Sequence, residues 1–142
     1  MPPTAAVPLI AWSRAFPGTP DQVREARRFL TGILAGQSVT GDAVLCLSEL
    51  VSNAIVHSDS RKPGGQFTVH VEMNESLLRI EVLDAGGLWA GAGVPDEQHG
   101  RGLNIVSQLA RAWGRDGDSE TGWVVWYELA TDDSGVAADE KR

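Results

Sequence analysis

Two consecutive segments of alternating polarity constrain the fold of this chain more than any other feature. Residues 66–73 read QFTVHVEM and residues 76–84 read SLLRIEVLD, with only Asn74 and Glu75 as the turn between them. A period of two indicates strands that bury one face, and so short a connection predicts a tight antiparallel hairpin. The apolar face of this hairpin needs a cover, which the helices of the chain must supply.

The other segments supply those helices and extend the sheet. They are a short apolar strand bounded by prolines, two helices, a third helix and a closing hairpin, at 7–16, 21–36, 40–57, 103–113, and 113–118 with 123–130. Prolines place the first strand at a sheet edge, and Thr40 is the expected N-cap of the second helix. The order of elements predicts an α/β (α+β) two-layer sandwich, with a mostly antiparallel mixed sheet and helices on one face.

Length and charge limit the class of protein. The 142 residues predict a single domain over 1–130, followed by a polar, disordered tail over 131–142. No apolar run is long enough to cross a membrane and the first residues do not resemble a signal peptide, so we expect a cytoplasmic protein that does not bind membranes. A net charge of −7 argues against direct nucleic-acid binding, and the single Cys46 fits a small buried residue.

The second helix carries an unusual polar stripe. Glu49, Asn53 and His57 follow one another at intervals of four, opposite the apolar arc of the same helix. Their neighbours Leu45 and Val56 are apolar, which suggests a covered face on which a carboxylate would need a partner. Two simpler interpretations remain open: Glu49 and Asn53 are a solvated pair, and His57 only complements the helix dipole.

Two glycine-containing segments accompany this helix. Asp84, Ala85, Gly86 and Gly87 follow a strand, and a long glycine-rich loop then leads to GRGLNIV at residues 100–106. Glycines allow close approach of a flat ligand, and a buried carboxylate can accept a hydrogen bond from an amine. Glycines directly before a helix expose backbone N–H groups at its positive end, which suits phosphate binding.

Taken together and in this order, the three segments resemble the nucleotide-binding boxes of the GHKL ATPases, the gyrase, histidine-kinase and MutL superfamily. ELVSNAIVH is similar to the N-box, VLDAGG to the G1 box and GRGLNIV to the G2 box, while GWVVWYEL resembles the closing strand. The resemblance covers about residues 7–130 and is strongest to the anti-sigma-factor serine kinases and their actinobacterial relatives. It implies a Bergerat-type ATP-binding fold.

The resemblance also implies roles for individual residues. Glu49 would be the general base, Asn53 the side-chain ligand of Mg²⁺, and His57 part of the same nucleotide-binding box. Asp84 would bond the adenine amine of ATP, and Gly86 would give the base room. The phosphates would be contacted by Gly100, Arg101, Gly102, Leu103 and Asn104. The segment between Gly87 and His99 would be the ATP lid.

Two functional hypotheses follow. The first is a protein serine kinase that regulates transcription by switching between a sigma factor and a STAS-domain anti-anti-sigma protein. The alternative is a non-catalytic ATP-binding module that acts through protein contacts, favoured by Leu88 and Val124, which replace a glycine and a threonine common in the family. Many relatives form homodimers, so the resemblance implies a homodimer as a state to test. A histidine-kinase fragment is disfavoured because the chain has no room for a phosphoacceptor helix pair.

Overall fold

The computed structural model describes residues 10–87 and 104–131. Its elements are β1 (Ile10–Pro17), α1 (Gln22–Leu34), α2 (Thr40–His57), a 3-10 helix (Asp59–Arg61), β2 (Gln66–Met73), β3 (Leu77–Leu83), β4 (Ala112–Asp118) and β5 (Gly122–Ala130). Residues 104–109 are also helical. The predicted lid and nearly all of the predicted tail lie outside the described residues. In the described part of the chain, neither α1 nor α2 has the length and hydropathy of a membrane-spanning segment.

The five strands form one sheet in the order β1-β2-β3-β5-β4. Every neighbouring pair is antiparallel, so the sheet has no parallel pair among the described strands. The predicted edge position of β1 is confirmed, as is the two-layer α+β sandwich. The antiparallel order leaves each strand with one face toward the helices and one face away from them.

The core lies between the sheet and its helical layer. Alternate residues of β2, β3 and β5 point into it and are buried: Phe67, Val69, Val71, Leu78, Ile80, Val82, Val125, Tyr127 and Leu129. Helix α2 contributes the largest helical share: Ala43, Cys46, Leu47, Leu50, Val51, Ala54 and Ile55. The arc expected from helical periodicity is therefore confirmed, and burial of such side chains stabilises the fold by roughly 1.5–3 kcal/mol each for the larger ones.

One polar contact inside the core links the two layers. The Tyr127 hydroxyl of β5 donates a hydrogen bond of 2.8 Å to the carbonyl oxygen of Ala43 in the first turn of α2. Burial raises the pKa of this phenol well above its ordinary value, since the charged form would lose its hydration. The bond fixes α2 along the sheet.

The helix-free face of the sheet carries a compact polar cluster. Arg79 is within 3.0 Å of both Glu81 and Glu128, and its guanidinium lies 4.3 Å from the ring centroid of Trp126. A Cβ at Gly114 would lie only 2.8 Å from the Trp126 ring, so the small residue on β4 makes space for the indole. The Arg79 guanidinium covers part of the Trp126 ring, so this face of the sheet can be solvated without full exposure of the indole.

Three details of the predicted elements were wrong. Thr40 does not cap α2, because it is the first helical residue and its hydroxyl donates to the carbonyl oxygen of Gln37 at 2.8 Å, in the connection after α1. Trp113 does not end a helix, because it pairs with Tyr127 in β4 and sheet pairing overrides the helical spacing. The β2–β3 turn is centred one residue later than expected, with the Asn74 N–H donating to the Leu77 carbonyl.

The Tyr127 bond gives the first prediction. Tyr127→Phe should lower the free energy of unfolding by about 1 kcal/mol, the usual net contribution of one hydrogen bond, because the ring still fills its site. Tyr127→Ala should cost about 3–5 kcal/mol, since the ring is lost as well. Urea denaturation of both variants measures the difference. An unfolding free energy for Tyr127→Phe equal to that of the wild type would mean that the bond contributes nothing.

Candidate functional site

The polar stripe of α2 turns from solvent toward the core along the helix. Steps of four residues overshoot a helical turn by about 40°, so each successive member lies closer to the buried arc. Glu49 and Asn53 are both half-buried, and His57 is the last residue of the helix. This rotation gives the stripe an outer end at Glu49 and an inner end at His57.

The side chains of Glu49 and Asn53 have no polar partner among the described residues. Neither side chain forms a hydrogen bond or ion pair with residues 10–87 or 104–131, and the Asn53 amide nitrogen is buried without a partner there. A buried N–H that lacks an acceptor costs about 1–3 kcal/mol. An asparagine side chain can donate through its nitrogen or, after rotation, present its oxygen. The position therefore suits either a phosphate oxygen or a cation.

The apolar neighbours of the stripe are not covered by the described residues. Leu45 is 45% exposed and Val56 is 53% exposed, so the cover expected around Glu49 is not supplied by the described residues. The reason is angular, because both side chains project directly opposite the buried arc of α2. Cys46 is buried as predicted; desolvation, with smaller contributions from Asp42 and Glu49, raises the pKa of its thiol to about 11.

The turn after β3 is fastened to the start of β5. The Asp84 N–H donates to the Trp123 carbonyl at 2.9 Å, and the Trp123 N–H donates back to Asp84 Oδ1 at 3.0 Å. The same carboxylate oxygen accepts the Gly86 N–H at 2.8 Å. Asp84 is thus held in a defined orientation by backbone donors, independently of any ligand.

The same turn is also fastened to the segment that follows α2. The Ala85 N–H donates to Ser60 Oγ at 3.0 Å, and the Asp59 N–H donates to the Gly86 carbonyl at 2.9 Å. The turn with Asp84 is therefore bonded to the segment that directly follows the helix with Asn53. Residues 58–83 separate the end of this helix from Asp84, and the sheet brings them together.

Gly86 is required by the fold itself. Its φ is +85°, and a Cβ there would lie 2.7 Å from the carbonyl oxygen of Ser119 in the β4–β5 connection. Both the left-handed backbone and the close approach exclude a larger side chain. Space for an adenine ring remains a prediction, and it is not needed to explain the glycine.

Sequence reasoning missed two serines that position this site. Ser58 and Ser60 are buried, and Ser58 Oγ donates to the Ala54 carbonyl at 2.6 Å while it accepts the Ser60 N–H at 3.0 Å. The signal was the string HSDS directly after the helix, where serine hydroxyls commonly satisfy backbone groups. These hydroxyls fix the 3-10 helix that holds the Asp84 turn.

Trp123, rather than Val124, stands next to Asp84 on the side of the helices. Its indole N–H donates to the Gly87 carbonyl at 3.2 Å, and the Arg115 guanidinium lies 4.5 Å from its ring centroid. Val124 is paired with Leu83 and, by strand alternation, projects toward the helix-free face. Replacement of the common threonine by Val124 therefore alters that face more than it alters the surroundings of Asp84.

The third predicted segment is described only at its end. Asn104 is exposed at the start of the helical residues 104–109, in which Val106 is buried in the core. Gly100, Arg101, Gly102 and Leu103, like Leu88, lie outside the described residues, so their predicted roles remain predictions. No group of three or more His, Cys, Asp or Glu that could hold a metal occurs in the described ranges. A cation here would rely on Asn53 and on oxygens of a ligand.

Comparison with known proteins agrees with this arrangement. A search of curated proteins found no match. A model of the family described as histidine kinase-like ATPase domain matches residues 16–128, from the end of β1 to near the end of β5. This match spans the helix with Asn53, the turn with Asp84, all of β2, β3 and β4 and most of β5, well over half of the chain. The chain therefore belongs to the histidine kinase-like ATPase domain family.

Proposed function

We propose that this protein is an ATP- and Mg²⁺-dependent serine kinase of the anti-sigma-factor type. Membership of the histidine kinase-like ATPase domain family implies ATP binding. The proposal adds the metal, the serine acceptor and the partners: a STAS-domain anti-anti-sigma protein as substrate and a sigma factor as the alternative partner. The protein would regulate transcription by exchanging one for the other, without contacting nucleic acid.

The observation that carries the proposal is the pair of unused polar groups on α2. Glu49 and Asn53 are half-buried, one helical turn apart, and bond no described residue. A fold keeps such groups at a cost unless they serve a ligand. A carboxylate can act as the general base of a phosphoryl transfer, and an amide oxygen can help to hold its metal ion.

The roles divide along the helix. Asn53 would hold Mg²⁺ through its amide oxygen, and the bound ion would neutralise phosphate charge. Glu49, nearer to solvent, would accept the proton of the serine hydroxyl as the oxygen attacks the terminal phosphate. Asp84 would accept the adenine amine, with its carboxylate already oriented by the N–H groups of Gly86 and Trp123. His57 and Gly100 to Asn104 would complete the nucleotide contacts.

The second candidate is a non-catalytic ATP-binding module. Leu88 and Val124 favour it as departures from the family pattern. The projection of Val124 toward the helix-free face reduces the weight of that departure, and the retained Glu49 favours the kinase. Incubation of the protein with labelled ATP and candidate STAS proteins encoded nearby separates the two: transfer to serine supports the kinase, and ATP binding without transfer to any of them supports the module.

Asp84 should determine nucleotide affinity without determining the fold. Asp84→Asn should weaken ATP binding by about 1–3 kcal/mol, because an acceptor for the amine is exchanged for a donor. The amide oxygen can still accept the Gly86 and Trp123 N–H groups, so the melting temperature should change little. Calorimetric titration measures the affinity, and Asp116→Asn on exposed β4 is the control of equal charge. Unchanged affinity would remove Asp84 from the adenine site.

Asn53 should determine the dependence on metal. Asn53→Ala should make ATP affinity nearly the same with and without Mg²⁺, whereas Ser52→Ala, the adjacent half-buried position, should keep the wild-type dependence. Removal of a buried, unpartnered amide should leave the unfolding free energy equal or higher. Titrations in magnesium and in EDTA test this. A variant as dependent on Mg²⁺ as the wild type would exclude Asn53 as the metal ligand.

Glu49 should separate binding from catalysis. Glu49→Gln keeps the shape of the side chain and removes the proton acceptor, so ATP affinity should stay within a few-fold. Phosphorylation of the STAS serine should fall by about 10²–10⁴, the usual contribution of a positioned general base. Glu75→Gln in the exposed β2–β3 turn is the control. Single-turnover transfer at equal rates in wild type and Glu49→Gln would exclude Glu49 as the base.

A further inference from the structure

Helices α1 and α2 leave a groove open on the outer side of the helical layer. We call this the α1–α2 groove, defined by Arg24, Arg27 and Thr31 on α1 and Val44, Leu45 and Ser48 on α2. It consists of two adjoining cavities of about 550 and 440 Å³, which share Arg27, Thr31 and Val44. None of these residues belongs to the nucleotide site proposed above.

The α1 wall of the groove is basic. Arg24, Arg27 and Arg28 are exposed at spacings of three and four, which puts them on one side of the helix. Arg28 pairs with Glu25 at 3.3 Å, whereas Arg24 and Arg27 form no hydrogen bond or ion pair with the described residues. In a chain of net charge −7, this concentration of positive charge is a local exception.

The α2 wall is uncharged, and its centre is formed by two aliphatic side chains. Val44 is half-buried, and Leu45 is 45% exposed although α2 is otherwise well packed. A groove with cations on one wall and aliphatic side chains on the other complements an amphipathic segment that carries carboxylates on one side. A free phosphate or nucleic-acid backbone would use the arginines and leave the apolar wall without a partner.

Two helix glycines border the groove without any requirement from the fold. A Cβ added at Gly32 in α1, or at Gly41 in α2, would meet nothing within 4 Å. Glycine inside a helix costs roughly 0.5–1 kcal/mol relative to alanine, so packing within the described chain does not explain them. Bare backbone on both walls does allow a second chain to approach closely.

We propose that the α1–α2 groove docks an acidic amphipathic helix of a protein partner. Carboxylates of the partner would pair with Arg24 and Arg27, and its apolar side chains would pack on Val44 and Leu45. The inference rests on the proposed function in taking the partner to be a regulatory protein, whereas the docking itself requires no nucleotide. Two copies of this chain are a poorer occupant, because groove facing groove would oppose like charges.

The groove also lies beside the proposed base. Leu45 is one turn before Glu49, rotated about 40° from it around α2. A segment held on Leu45 would therefore run next to the outer end of the polar stripe. Docking at this place would bring the remainder of a substrate protein close to Glu49 and would raise the effective concentration of its hydroxyl.

A peptide selection without nucleotide tests the proposal. The probe is a phage-displayed library of random 16-residue peptides, selected on the wild-type protein and counter-selected on the double variant Arg24→Glu/Arg27→Glu. Enriched peptides should carry acidic and apolar residues at helical spacing. Synthetic copies, followed by fluorescence anisotropy, should bind the double variant at least tenfold more weakly and should lose affinity as salt rises. The matched control Arg14→Glu/Arg111→Glu changes two exposed arginines outside the groove and should bind like the wild type.

A second variant excludes a merely structural effect. Gly32→Gln introduces a better helix former into open space, so the melting temperature should stay equal or rise, while the added side chain enters the groove and weakens peptide binding several-fold. Failure to enrich any peptide, enrichment of peptides without acidic residues, or equal binding to the double variant would overturn the proposal. A change of oligomeric state in Arg24→Glu/Arg27→Glu, seen by ultracentrifugation, would assign the groove to a second copy and would also overturn it.

Failure of the proposed function would look different. Peptide binding by the groove together with absence of ATP binding or of phosphotransfer would remove the kinase and leave the docking surface in place. Phosphotransfer to a STAS protein that is unaffected by Arg24→Glu/Arg27→Glu would retain the kinase and remove the groove as its docking surface.

Discussion

The seating of α2 on the sheet determines the rest of the structure. Seven side chains of this helix are buried against the strands, and no rotation of the helix could bury them all in another way. Because that arc is fixed, the side of the helix on which Glu49 and Asn53 lie is fixed too. The Tyr127 hydroxyl, bonded to the Ala43 carbonyl, adds a constraint along the helix axis. Hydrophobic burial of one side of α2 thus determines the direction in which Glu49 and Asn53 project from the other side.

The position of the turn after β3 depends indirectly on the packing of α2 against the sheet. Hydrogen bonds join this turn to Asp59 and Ser60, which follow α2, and to Trp123 at the beginning of β5. Each attachment uses backbone groups, which have fixed geometry and keep the Asp84 carboxylate in one place. The helix and the turn therefore behave as one unit in spite of their separation in sequence. A preorganised carboxylate is what a specific amine contact requires.

Periodicity predicted most of the fold, and contacts between distant elements account for what it missed. The alternation in β2 and β3 and the apolar arc of α2 are local patterns, and both were confirmed. The beginning of β4 at Ala112 was missed, because pairing with β5 overrides the spacing that favoured a helix through Trp113. Burial of Ser58 and Ser60 was likewise invisible, since it depends on a turn that begins 24 residues after Ser60. For the site, the order of motifs indicated Asn53 and Asp84, while exposure of Leu45 and Val56 could only come from the packed structure.

The close backbone approach at Gly86 has a consequence for how relatives of this chain would diverge. The carbonyl oxygen of Ser119 leaves no room for a Cβ at Gly86. This glycine should therefore persist in any descendant that still folds, including one that no longer binds nucleotide. Conservation of Gly86 among relatives would therefore indicate only that the fold is retained. The side chains of Glu49 and Asn53 form no hydrogen bond or ion pair with the described residues, so they are free to change once their ligand is lost. Conservation of Glu49 and Asn53 would therefore indicate selection for activity, whereas conservation of Gly86 would not.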